Sequence, residues 1–217
     1  MIYIDNILIM ADTEEKASFH LTLTLDLLEV LGFLVNYDKS ILVPAQNIEF
    51  LGFTVDSTSM TIALPVEKVQ KVVFEARSML SSETVTARQL ARMVGILSSC
   101  IPAVVPAPLH YRTLQRIKNK AVAQGGYNQQ TTLPPTARTE LEWWCRFLVV
   151  NNGKPVRTPQ PDLVIYTDAS LLGWGATCQG VQIGGAWTPE EKSQHINYLE
   201  LQGVWNAVQA FCQGKQS

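Results

Sequence analysis

The sequence predicts an α+β protein, and three observations carry that prediction. Leu163 to Tyr166 is a short apolar run closing on Thr167-Asp168-Ala169-Ser170, the pattern of a buried strand that delivers one carboxylate to its tip. Near the start, Met1 to Met10 is apolar on both sides of Asp5-Asn6, which reads as two short strands joined by a tight turn. Between these regions, residues 65 to 124 repeat apolar side chains at helical spacing and carry most of the positive charge. A chain of 217 residues with 47% hydrophobic content can build one large or two small cores. No run approaches the ~18 uninterrupted apolar residues of a membrane span, and acidic residues follow the N-terminus at once, so neither a span nor a signal peptide is expected.

Taken in order, Thr13 caps a helix whose Ala17, Leu21, Thr24, Leu28 and Leu31 share a face, with Gly32 as its terminator. His20 lies near that stripe as a core or boundary residue. Phe33 to Val35 and Ser40 to Val43 read as strands around Asn36-Tyr37-Asp38-Lys39. Ile48 to Val55 and Met60 to Leu64 read as a hairpin turned at Asp56-Ser57-Thr58-Ser59. Pro65 suits the first position of a helix with Val66, Val69, Val73, Ala76 and Leu80 as its apolar stripe, and Lys68, Lys71 and Arg77 project elsewhere. Thr86 and Gln89 form a capping box for a second helix through Leu90, Met93, Val94 and Leu97, which Pro102 stops. After a connector stiffened by Pro106 and Pro108, a third helix from about Leu109 carries Arg112, Arg116, Lys118 and Lys120. His110 and Tyr111 either line that basic face or pack in a core.

Gly125-Gly126 and Asn128 to Pro135 read as a polar linker, the expected domain boundary, and Thr136 then caps a helix bearing Leu141, Trp144 and Leu148. Trp143-Trp144 either stacks bases or docks that helix on a neighbour. Pro159 and Pro161 lead into the strand ending at Asp168. Gly173 to Cys178 and Val181 to Trp187 follow as two more strands, turned at Gln179-Gly180, giving a three-stranded antiparallel meander. Asn197 to Glu200 opens a helix whose Leu201, Val204, Trp205, Val208 and Phe211 form a buried stripe. The expected divisions are 1–64, 65–124, 125–161 and 162–217.

If that last helix crosses the meander, Asp168 and Glu200 converge, and two carboxylates sharing a site suit a hard cation such as Mg2+. Each has a bland alternative. Glu200 stands three residues after Asn197, the spacing of a capping box, and Asp168 can initiate a turn. The net charge of -2 conceals an asymmetry. Residues 1 to 59 hold two Lys against nine acidic groups, and residues 60 to 125 hold nine Lys or Arg against three Glu. A basic segment inside an acidic chain is the footprint of a phosphate-tracking surface, although solvated helix faces give similar counts. Cys100, Cys145, Cys178 and Cys212 are widely spaced, which points to free thiols in a reducing, intracellular compartment.

Several of these stretches resemble known families. Thr167-Asp168-Ala169-Ser170, Gly173-Trp174-Gly175-Ala176 and Asn197-Tyr198-Leu199-Glu200-Leu201 resemble the opening of a retroelement ribonuclease H domain, in which the Asp and Glu bind metal and catalyse. Tyr3-Ile4-Asp5-Asn6 resembles the Tyr-x-Asp-Asp turn of reverse transcriptases. Leu31 through Lys39 resembles the palm segment after it, and Phe50-Leu51-Gly52-Phe53 resembles the primer grip. The wording overall most resembles DIRS-type, tyrosine-recombinase retrotransposons.

The resemblance implies late palm, helical thumb, tether and the first half of a ribonuclease H fold, from a polyprotein truncated at both ends. It implies catalytic, metal-binding roles for Asp5, Asp168 and Glu200 with Mg2+ or Mn2+. It also implies contacts of Lys39, Phe50, Leu51, Gly52, Lys68, Lys71, Arg112 and Arg116 with an RNA-DNA hybrid or primer-template duplex. Lys39 would protonate the leaving group or stand as a structural lysine. Asn6 departs from the family in supplying an amide where a second carboxylate helps neutralise two cations. That departure, with the carboxylates expected outside the chain, leads to the expectation that the truncated chain is itself inactive, with a non-catalytic nucleic-acid-binding or structural role as the alternative. An unrelated metal-dependent hydrolase would need further acidic ligands. The meander should leave one sheet edge bare and open to self-association.

Overall fold

The computed structural model describes residues 1–157 and 160–212. Pro159, read as part of the lead-in to the Asp168 strand, and residues 213–217 of the expected last division lie outside these. The chain divides into two compact units, Met1–Arg157 and Thr158–Ser217. Every strand pairing among the described residues is antiparallel. No helix among them is long and apolar enough to cross a membrane.

Unit 1 opens with the hairpin of β1 (Ile2–Tyr3) and β2 (Asn6–Ile7), in which Tyr3 pairs with Asn6. The turn is therefore Ile4-Asp5 rather than Asp5-Asn6. Thr13 does cap α1 (Glu14–Val30), accepting from the Lys16 amide at 3.2 Å, and Gly32 follows its end at φ 80°. The expected core face of α1 is only partly covered: no residue of this helix is buried, and Leu31 is exposed. Phe33 to Val35 and Ser40 to Val43 are not strands. Each lacks a pairing partner among the described residues, and β propensity without a ladder does not hold an extended chain. A 3-10 turn at Tyr37–Lys39, capped by Asn36, separates them.

The stretch Ile48 to Val55, read as one strand, is two. β3 (Asn47–Phe50) and β4 (Phe53–Asp56) pair Phe50 with Phe53, and Leu51-Gly52 makes the turn with φ 52° and 73°. Positive φ at both central residues is the type I′ hairpin geometry, and leucine there is strained. β5 (Thr61–Ala63) pairs next to β4, across a turn in which the Asp56 carboxylate accepts the Thr58 and Ser59 amides at 2.8 and 3.2 Å.

The helical body follows as α2 (Val66–Leu80), β6 (Thr84–Thr86), α3 (Ala87–Ser98), α4 (Arg112–Gly125), β7 (Gln130–Thr132), α5 (Pro135–Phe147) and β8 (Lys154–Pro155). Thr86 and Gln89 form the expected capping box. The face of α2 is rotated from the expected stripe: Val72, Ala76 and Met79 are buried, Val69, Val73 and Leu80 flank them, and Val66 is exposed.

The largest correction concerns 125–161, read as linker and tether. As far as Arg157 it is built into unit 1. β7 pairs with β6, β8 pairs with β5, and α5 places Leu141, Trp144 and Leu148 in the core beside Leu90, Leu97 and Leu114. Pro134 and Pro135, expected to end a linker, start a helix instead. Four polar side chains then tie the segment down. Glu140, buried, accepts the Thr113 and Leu114 amides of α4's first turn at 2.8 and 3.1 Å. Trp144 Nε1 donates to the His110 carbonyl at 2.8 Å, Arg138 donates to the Leu80 and Ser82 carbonyls, and Asn152 both donates to and accepts from the Leu64 backbone.

Unit 2 holds the expected meander of β9 (Ile165–Ala169), β10 (Gly173–Cys178) and β11 (Val181–Ala186), in the order β11-β10-β9, followed by α6 (Pro189–Lys192) and α7 (Ile196–Cys212). β9 is an edge strand, and it alternates rather than being covered on both faces: Ile165, Thr167 and Ala169 are half-buried, whereas Tyr166 and Asp168 are exposed. The buried face of α7 is not the expected large-residue stripe. Leu199, Gly203 and Ala207 are buried, while Leu201, Val204, Trp205 and Val208 are exposed. Small residues allow close packing, and a Cβ at Gly203 would already stand 3.5 Å from Trp174 Cβ.

Replacing Glu140 by Ala removes the acceptor for two helix N-terminal amides and should lower unit 1 stability by about 2 kcal/mol, with Glu140→Gln costing less. Urea denaturation followed by tryptophan fluorescence checks this through the shift in midpoint.

Candidate functional site

In unit 2, α7 meets β9 at Gly203, where a Cβ would lie 3.7 Å from Ala169 Cβ and 3.9 Å from the Asp168 carbonyl oxygen. Glu200 stands three residues before Gly203, so it is the neighbour of that contact on the helix surface. The two bland explanations then fail on geometry. The cap of α7 is His195, whose Nδ1 accepts the Asn197 amide at 3.2 Å and whose carbonyl accepts the Tyr198 and Leu199 amides. Glu200 is not its partner. The turn after β9 is made by Ser170, whose Oγ accepts the Leu172 and Gly173 amides at 3.2 and 3.3 Å, while Asp168 stays in register with Gly175. Both carboxylates are exposed and have no hydrogen bond or ion pair among the described residues. Each presents carboxylate oxygens, the donor type that a hard divalent cation takes. No group of three or more His, Cys, Asp or Glu side chains able to hold a metal occurs among the described residues.

Asp5 projects from the β1–β2 turn of unit 1, exposed, with Ile4 before it at φ 55°. A β-branched residue at positive φ is a backbone outlier, and such strain persists only where surroundings impose it. Asn6 Nδ2 stands 3.5 Å from Asp5 Oδ1, too long for a firm hydrogen bond. Lys39 is exposed on the 3-10 turn and forms no ion pair among the described residues.

The cations of the helical body divide by what they touch. Arg92 pairs with Glu75, Arg88 stacks on Tyr127 at 5.6 Å, and Arg112 lies over Tyr111 at 5.3 Å while donating to Gln115. Lys71 and Arg116 are exposed with no ion pair among the described residues. Lys68 is half-buried, 4.5 Å above the Phe53 ring and 3.4 Å from the Ser99 carbonyl. At the β3–β4 hairpin, Phe50 is half-buried and Leu51 and Gly52 are exposed.

One residue of this surface escapes a reading of charge and motif. Gly95 is exposed in the middle of α3, on the stripe of Arg88, Arg92 and Ser99, and nothing lies within 4 Å of where its Cβ would stand. Its φ is not positive, so neither backbone nor packing demands glycine, which costs a helix about 1 kcal/mol relative to alanine. The detectable signal was an isolated Gly inside a strong helical pattern. His110, by contrast, is a packing residue: its ring stacks on Trp143 at 3.9 Å, 7° from parallel.

The fold defines a class: a mixed α/β chain similar in sequence to viral enzymatic polyproteins and in fold to a viral protease-reverse transcriptase. In a match 225 positions long that covers 97% of this chain, it is 23% identical to the enzymatic polyprotein of Cauliflower mosaic virus (strain D/H), and likewise to that of strain Strasbourg. The chain spans 31% of the length of those polyproteins. Among solved structures, the foamy viral protease-reverse transcriptase dRH in complex with double-stranded DNA matches with a TM-score of 0.52 at 17% identity, covering 94% of this chain and 35% of that one. No protein-family model matches the chain.

Burial pushes the His110 imidazole below its ordinary value of 6.5, against the opposing charge of Glu140. A lowered histidine binds fewer protons folded than unfolded, so its contribution is fully present above 6.5 and is lost as pH falls through the folded value. NMR titration should give a His110 midpoint below 6.5 that Trp143→Ala moves back up toward it.

Proposed function

We propose that this chain is a reverse transcriptase and ribonuclease H segment of a retroelement polyprotein, comprising late palm, thumb and the first half of the nuclease. Its motif wording is closest to the DIRS type, and its site of action is intracellular. In this reading unit 1 binds an RNA-DNA hybrid or primer-template duplex. Gly95 is the observation that carries it. A helix glycine with no internal reason, on the stripe of Arg88 and Arg92, suits close approach of an outside backbone, with Lys71 and Arg116, which have no ion pair among the described residues, meeting phosphates. Lys71, Arg112 and Arg116 extend the basic surface, and the Leu51-Gly52 turn and Lys39 contribute contacts at the palm.

The Asp168 and Glu200 carboxylates would hold Mg2+ or Mn2+ in unit 2, and Asp5 would do so in unit 1. A bound divalent ion supplies Lewis acidity to a phosphate and lowers the pKa of coordinated water. The chain's own part is to present unengaged oxygens: β9 holds Asp168 by its ladder with β10, and the Gly203 contact keeps Glu200's turn of α7 against that strand. A second reading, duplex binding without polymerisation, is favoured by Asn6, whose amide does not neutralise a second cation. The free edge of β9 with exposed Val164 and Tyr166 also offers a place for self-association.

Fluorescence anisotropy with duplex DNA and an RNA-DNA hybrid tests the binding. Log affinity should fall linearly with log salt, and removing Lys71, Arg112 or Arg116 should reduce the slope by up to about one each. Gly95→Ala should stabilise unit 1 by about 1 kcal/mol and yet weaken binding about tenfold. Binding unchanged by all four substitutions would contradict the assignment of this surface.

A further inference from the structure

The sequence groups Lys68 with the phosphate-facing cations, and its surroundings assign it another task. Three elements meet at its ammonium group: α2 supplies the lysine, β4 supplies the Phe53 ring at 4.5 Å, and the C-cap residue of α3 supplies the Ser99 carbonyl at 3.4 Å. The last partner sits at the negative end of a helix dipole, where a cation is favoured. Lys68 also lines a shallow depression of about 320 Å³ together with Glu67, Lys71, Val72, Ile96 and Ser99. The ring holds this ammonium from one side and the helix-end carbonyl draws one of its three N–H groups, which fixes where it stands, whereas Lys71, one turn along α2, is exposed.

Phe53 lies next to the Leu51-Gly52 turn and packs against the core of unit 1, and Ser99 lies one turn beyond Gly95 on the exposed stripe of α3. Lys68 thus bridges the two surfaces that a bound duplex would touch. We infer that Lys68 is a positioning residue that fixes the Leu51-Gly52 turn relative to the Arg88, Arg92 and Gly95 stripe, so that one nucleic-acid duplex meets both. This rests on the duplex-binding reading above. Its effect on affinity acts through geometry and carries no counterion release, which separates it from a phosphate contact.

The test uses the full chain and a blunt RNA-DNA hybrid. Lys68→Gln should lower affinity about tenfold while leaving the salt slope unchanged, and should speed hydrogen exchange of the amides of residues 51 to 53 in the free protein. Lys68→Arg, whose guanidinium both stacks and donates, should restore affinity and exchange protection. Lys71→Gln should do the reverse, lowering the slope by about one with hairpin exchange unaltered. A Lys68→Gln slope reduced like that of Lys71→Gln would make Lys68 a phosphate contact and overturn the inference. Unaltered affinity and exchange, or failure of Lys68→Arg to rescue, would overturn it equally. A wild-type chain that does not bind the hybrid would instead remove the duplex reading, and the hairpin exchange would still report whether Lys68 holds the turn.

Discussion

A buried carboxylate holds the helical half of unit 1 in shape. Glu140 on α5 satisfies two amides of the first turn of α4, and the adjacent Trp144 indole donates to the carbonyl of His110, just before that helix. An uncompensated charge at that depth would be expensive, so the helix N-terminus and the carboxylate stabilise one another. This pair sets where α4 starts, and hence where Arg112 and Arg116 stand. It also explains why a polar, proline-marked segment is core rather than linker. The charged and polar groups of the unit sort accordingly into those with an internal partner, such as Glu140, Arg138 and Lys68, and those with no ion pair among the described residues, such as Lys71 and Arg116.

The same sorting applies within unit 2, where a glycine rather than a charge is the organising feature. Gly203 lets α7 lie against β9 and β10 with no side chain between, so a narrow face of Leu199, Gly203 and Ala207 suffices to seat the helix. The larger apolar residues turn outward as a consequence. His195 and Ser170 take over the capping and turn duties that sequence spacing offers to Glu200 and Asp168. Two exposed carboxylates are left with no structural role among the described residues, on elements whose backbones touch.

Much of this was legible in the residues, and the failures have physical causes. The Thr86 and Gln89 capping box, the Thr13 cap and the meander turned at Gln179-Gly180 follow from local chemistry, and local chemistry decides them. The hairpin at Leu51-Gly52 was not legible because leucine tolerates its left-handed backbone poorly and is no turn signal. Helix faces were misassigned where periodicity admits two stripes: α7 is apolar nearly all round, and only packing distance selects the small-residue side. The segment 125–161 was misread because prolines and glycines mark boundaries of elements as readily as boundaries of domains. Asp168, Glu200 and the basic helices were visible as residue types, but which of these groups have partners among the described residues was not, since that depends on who else fills each role.

A divalent cation held by Asp168 and Glu200, which have no hydrogen bond or ion pair among the described residues, is the proposal on which the reading of unit 2 rests. Paramagnetic broadening by substoichiometric Mn2+ in the two-dimensional NMR spectrum of the full chain tests this most directly. Amides around Asp168 and Glu200 should broaden first, and Asp168→Asn should abolish the effect at both places while leaving the spectrum otherwise folded. Broadening confined to acidic surface elsewhere, such as Asp12, Glu14 and Glu15, or unaltered by Asp168→Asn, would contradict it.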